Sequence, residues 1–225
     1  MGFFSRFLNK RSFPIKNLEE TYQNFFKRYS PEIFDFMETK GYTYRDDTGI
    51  HIELSNLHYA THILTEYALF LKACAIYCVK KNMNNCPETE LRSAFPLAND
   101  LVSKASAVDS YRSAVSNRID DYLNSIYDNV VCGYSTQNHF GSQNYALVEN
   151  ACHIDTMRLA LMFADCYYYI VINKDYATTK DIKTVKELAK NDTYQESNYY
   201  FKIAERLQKH AEILSEEIVK ILINR

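Results

Sequence analysis

A chain of 225 residues that is 47% hydrophobic and 24% charged can bury a substantial core and is too apolar for wholesale disorder. Five glycines and four prolines exclude an all-β fold, which needs turn residues about every 8–12 positions. A formal net charge of −2 supplies no global attraction to nucleic acid or to an acidic membrane, so no nucleic-acid partner is expected.

Residues 1–16 read as a basic amphipathic segment and 17–225 as a single helical domain. Phe3, Phe4, Phe7 and Leu8 share one helical face opposite Ser5, Arg6 and Asn9, and Arg6, Lys10, Arg11 and Lys16 precede the first acid, Glu19. The four apolar residues are the candidate interaction residues, docking on the protein's own core or a partner, with weak membrane-surface contact as the alternative. The segment is not a myristoylation signal, because Arg6 stands where the serine is required. Nor is it a secretory leader, since basic residues occupy the apolar region. The cysteines, Cys74, Cys78, Cys86, Cys132, Cys152 and Cys166, contain no C-x-x-C pair and no compact disulfide framework. These features predict a cytoplasmic protein, peripheral at the membrane if the N-terminal face meets lipid.

Asn17 and Glu20 form a capping box for a helix through Arg28, and Ser30-Pro31-Glu32 starts a second helix that Gly41 ends. Tyr42, Tyr44, Ile50, Ile52 and Leu54 then alternate about Asp-Asp-Thr-Gly, which predicts a β-hairpin near 42–54 with Gly49 in a left-handed conformation. Ser55-Asn56 opens a long helix to about Lys81, and a short helix follows Pro87. From Pro96, apolar residues recur at helical steps through Leu101, Ala105, Val108, Val115, Ile119, Tyr122, Ile126 and Val130. A second helix, apolar nearly all round, spans about 144–172, and a short basic one about 180–190. Asp192 and Gln195 cap a final helix with the seam Tyr200, Ile203, Leu207, Leu214, Ile218 and Ile221. The apolar runs from Tyr67 and Leu159 fall short of the about 20 residues of a membrane span and contain Lys72 and Asp165. The predicted fold is therefore mainly α, a bundle of six to eight helices around two central apolar ones, with one small hairpin.

Chemistry is sparser. His58, His62 and Glu66 recur every four residues on the long helix, nearly opposite its apolar face, which favours solvent. Glu149 and His153 repeat the spacing on the second apolar helix. Convergence of the five would offer nitrogen and oxygen ligands for Zn, Fe or Mn, although the Glu-x-x-His spacing of dimetal bundles and H-E-x-x-H are both missing. The blander expectation is a solvated helix face with a hydrogen-bonded core histidine, and no cofactor.

Asp155, Arg158 and Asp165 fall on one helix side and predict an ion network around Arg158. Cys132 and His139 share the loop 132–143 but give no sign of an activated pair. Arg206 and His210 do not have the separation of the arginine–histidine motif of helical ribonucleases and are expected on a solvated flank. Phosphate-binding, dinucleotide-binding and nucleophile-elbow motifs are absent from the sequence. The pattern leans away from an enzyme. It predicts a helical binding or adaptor module whose surfaces are the N-terminal segment, the 132–143 loop and the last helix, with a homodimer through that helix as one arrangement. A metal-dependent helical enzyme and a peripheral membrane protein are the alternatives.

Overall fold

The computed structural model describes residues 13–83, 86–105, 115, 117–126, 151–173 and 197–223. Within them lie seven α-helices and one two-stranded sheet: α1 (Ile15–Glu38), β1 (Thr43–Asp46), β2 (Gly49–Ile52), α2 (Leu57–Asn82), α3 (Glu88–Ser93), α4 (Pro96–Ala105), α5 (Arg118–Ser125), α6 (Ala151–Asn173) and α7 (Ser197–Ile223). A single 3₁₀ turn, Leu54–Asn56, joins the hairpin to α2. The mainly α architecture with one hairpin follows the sequence pattern.

The centre of the bundle is α2, which packs on α1, α4, α5, α6 and α7. Its residues from Tyr67 to Ala75 are all buried, so both the apolar face and the face behind it are covered. Residues 54–82 are also the one described stretch long and apolar enough to cross a membrane, and an 18-residue apolar window within it is 89% buried inside the bundle. The second central helix, α6, contributes an unbroken buried run from Leu159 to Tyr167. The seam of α7, through Ile203, Leu207, Leu214 and Ile218, is buried within the chain against α2 and α6.

Helix α1 corrects the sequence reading. Pro31 lies inside one continuous helix rather than starting a second, and the helix begins at Ile15 with no side-chain cap from Asn17. The reason lies in its two faces. Leu18, Tyr22, Phe25, Ile33 and Met37 keep one helical phase across the proline and are all buried. Pro31 and Lys27, whose carbonyl loses its hydrogen bond, are both exposed, so water can replace the missing donor. Gly41 ends the helix as expected: at φ 73° it lets the Tyr42 amide turn back to the Met37 carbonyl at 3.0 Å.

The hairpin pairs Thr43 with Ile52 and Asp46 with Gly49, closing on Asp47-Thr48. Asp46 accepts from the Thr48 amide (2.8 Å) and hydroxyl (2.6 Å), which ties the turn. Tyr42 and Tyr44, expected on one face, part company: Tyr42 is buried and donates to the Val171 carbonyl at 3.2 Å, while Tyr44 is exposed and stacks on His51. Asn56 precedes α2 as predicted, but its side chain donates to the Gly41 carbonyl at 3.1 Å instead of capping the helix.

Between α3 and α4, Phe95 takes φ 66°, a region costly for an aromatic residue. Its ring is buried 4.9 Å from that of Tyr22, and its amide donates to Glu19 at 3.3 Å. Packing outweighs local preference there.

Residues 1–12 of the N-terminal segment, which include Phe3, Phe4, Phe7 and Leu8, the predicted helices or caps at 144–150, 180–190 and 192–196, and the loop 132–143 lie outside the described residues, as does the stretch 106–114 within the long 96–130 pattern.

Candidate functional site

A buried group of polar side chains joins α2 to α5. Glu66 is 2% exposed and Arg118 is fully buried. Arg118 Nε lies 3.1 Å from one Glu66 carboxylate oxygen and 3.2 Å from the other, and its Nη1 reaches Asp121 at 3.4 Å. The Tyr122 hydroxyl donates to Glu66 at 2.9 Å. A buried carboxylate needs such a set, because its desolvation is offset only by a close cation and further hydrogen bonds.

The surroundings fix the protonation states. Burial works against the charge on Arg118, but Glu66, Cys166, Tyr122 and Asp121 outweigh it and hold the guanidinium more firmly protonated than usual. Burial, reinforced by the Glu66 charge, pushes the Tyr122 phenol and the Cys166 thiol well above their ordinary ranges. Neither is an activated nucleophile in this setting, since the thiolate is the reactive form of cysteine. The arrangement is a salt-bridged core that pins α5 to α2.

His62 and Glu66 are therefore not on a solvated face. The back of α2 is covered because that helix is central, and only His58, one turn earlier, is exposed. The His58 and His62 rings approach edge to face, with centroids 4.1 Å apart. Burial first, and the neighbouring His58 second, lower the His62 pKa to about 4. Of the five ligands considered for a metal, Glu66 is engaged by Arg118 and Tyr122, while Glu149 and the His153 side chain lie outside the described residues. Among the described residues, no group of three or more His, Cys, Asp or Glu is placed to hold a metal ion.

A second polar cluster joins α1, α2 and α7. His210, expected on a solvated flank, is 1% exposed. Its Nδ1 lies 3.0 Å from the Tyr67 hydroxyl and its Nε2 3.1 Å from Glu32, which also takes Arg206 at 3.3 Å. In the neutral ring one tautomer satisfies both contacts: the tyrosine donates to Nδ1, and the Nε2 hydrogen goes to the carboxylate. Burial lowers the His210 pKa, against the pull of Glu32. With both ring nitrogens engaged, the imidazole holds three helices together.

Lys72 is likewise internal, donating to the Arg92 carbonyl (2.7 Å) and to Asn99 (3.1 Å); burial and Arg92 lower its pKa to about 8. The sequence predicts an ion network at Asp155, Arg158 and Asp165. Asp155 accepts from Tyr77 and from Lys81 on α2, whereas Asp165 is buried among the core residues two to three turns further along.

Arg118 is the residue the sequence pattern did not single out. Its one sequence signal was its place four residues before Tyr122, on the covered side of an amphipathic helix. The class defined by these features is a mainly α bundle with a buried Glu–Arg–Tyr centre. No family model, no curated protein and no solved structure matches the chain at a significant level.

Proposed function

We propose that the protein is a helical binding module that docks a partner protein at the hairpin end of the bundle. The observation that carries this reading is the distribution of exposed apolar side chains. Of the four large hydrophobic residues exposed among those described, Tyr44 (48%), Leu54 (85%) and Leu57 (48%) all fall within residues 44–57. Large apolar side chains concentrated at one place are a common mark of an interaction surface.

The charges nearby favour one kind of partner. Arg45 is tied to Asp35 at 2.5 Å, while Asp46, Asp47 and Glu53 are exposed on the hairpin and the segment after it. Hydrogen bonds from Thr48 hold the Asp46 carboxyl down at about 2, so it is ionised at neutral pH. A partner with an apolar contact face rimmed by lysine or arginine complements this end. The interior supports the same reading, because Glu66, His210 and Lys72 are each engaged by helices of the bundle itself.

The test places a photo-crosslinking amino acid at Leu54, and at exposed Glu90 as a control, in the native host cell. A discrete adduct from position 54, absent at 90 and lost on adding Tyr44→Ser and Leu57→Ser, is the expected result. Equal labelling at both positions contradicts the proposal.

A further inference from the structure

The hairpin end of the bundle is acidic as well as apolar, and the same chain carries a segment of matching apolar character and opposite charge. Tyr44, Leu54 and Leu57 are exposed at that end beside Asp46, Asp47 and Glu53. Before α1, the sequence sets Phe3, Phe4, Phe7 and Leu8 at the spacing of one helical face and interleaves them with Arg6, Lys10 and Arg11. We propose that residues 3–11 of one molecule dock on the hairpin end of a second copy, so that the protein associates head to tail with itself. This rests on the reading of the hairpin end as a docking surface and names its occupant.

Chemistry and reach both point to a second copy. Apolar side chains can supply the centre of the contact while rim charges of opposite sign set its orientation. The first acid in the sequence is Glu19, so no carboxylate within residues 3–11 opposes those of the hairpin. Arg45, the cation on β1, is tied to Asp35. Reach then separates the two copies. Helix α1 is continuous over 24 residues, about 35 Å, and the hairpin follows directly from its far end. The Tyr42 and Tyr59 rings, with centroids 6.2 Å apart, hold the base of the hairpin beside the first turn of α2, so Leu57 lies at that end too. Leu8 is seven residues from Ile15, a stretch that spans about 25 Å at full extension. Phe7 and Leu8 therefore fall short of the hairpin of their own chain. Each molecule offers one segment and one hairpin, so the contact repeats into open chains or closes into a ring.

The test follows purified full-length protein by sedimentation velocity over a range of concentrations. The sedimentation coefficient should rise with concentration and fall back toward that of the monomer at high salt. Leu54→Ser with Leu57→Ser removes the hairpin contact, and Phe3→Ser with Phe7→Ser removes the segment. Each pair should weaken self-association at least about tenfold, with circular dichroism checking that the bundle stays folded. Each variant keeps one intact half, so their equimolar mixture should form 1:1 dimers that grow no further. Hairpin-to-hairpin or segment-to-segment contact cannot give that result. A wild type that stays monomeric throughout, a Phe3, Phe7 variant that assembles like wild type, or a mixture that fails to pair would overturn the proposal. A monomer that instead floats with anionic vesicles, and loses this with Phe3→Ser and Phe7→Ser, overturns it by giving the segment to a membrane. If the wild type is monomeric while the host-cell adduct at position 54 contains a different protein, the occupant is wrong and the docking surface stands. If that adduct is missing as well, both fail.

Discussion

Glu66 and Arg118 face each other at 3.1 Å across the contact between α2 and α5, 52 residues apart in the chain and shut off from water. Removing one partner leaves the other charge buried without its counter-ion, whereas replacing both with apolar residues of similar size does not. Glu66→Leu and Arg118→Met alone should therefore each lower stability by about 3–5 kcal/mol, and the double variant Glu66→Leu, Arg118→Met should recover most of that loss. Urea unfolding of the four proteins in the cycle measures the coupling. Additive losses would show that the pair is not a unit.

The pH dependence has a definite sign. The His62 pKa falls from the ordinary 6.5 to about 4 on folding, and that of His210 is also lowered. Between those values the unfolded chain holds protons that the native chain does not, so stability rises with pH in that window and falls as pH drops from 6.5 toward 4. The exposed Asp46 acts lower, its stabilisation lost as pH falls from 3.8 to about 2. Urea midpoints should therefore decline from about pH 7 to about pH 5, with a shallower slope in His62→Gln. A midpoint that rises over this interval contradicts the assignment.

The contacts of His210 fix its tautomer. With Tyr67 donating to Nδ1 and Glu32 accepting from Nε2, the neutral ring carries its proton on Nε2. Nitrogen chemical shifts of labelled histidine read this directly, and a proton on Nδ1 would refute it. Tyr67→Phe removes the donor and should cost about 1–2 kcal/mol without unfolding the bundle.

Pro31 makes the opposite kind of prediction. Its missing amide weakens α1, yet the carbonyl of Lys27 is on an exposed face and the buried stripe continues past it. Pro31→Ala restores the hydrogen bond and should raise stability by about 1–2 kcal/mol, less than the full helix-interior penalty because proline also restricts the unfolded chain. A loss of stability, or a helix content that does not change, would mean that the proline has a packing role on its exposed face.

The fold was largely legible because hydrophobic period is a local property. The alternating residues 42–54, the apolar runs of α2 and α6 and the seam of α7 each announced an element from their own spacing. Pro31 misled because a local breaker is judged without its neighbours, and here the phase from Leu18 to Met37 decides. The site was less legible. His62, Glu66 and His210 looked solvated because helical position opposite an apolar stripe implies water only for a helix at the surface. At the centre of a bundle the same position is covered, in this case by α5 for Glu66 and by α1 for His210. The partners Arg118 and Glu32 come from distant parts of the sequence, and no spacing rule brings them to Glu66 and His210.

The reading of this protein as a binding module stands most directly on the hairpin end, and the crosslink from position 54 is its sharpest test. It should be made in the Glu66→Leu, Arg118→Met background as well as in wild type. The account predicts the same discrete adduct in both, because the buried charges serve the fold and Leu54 serves the partner. If the adduct forms in wild type but vanishes in a double variant that remains folded, the charged centre takes part in function and the scaffold reading is wrong.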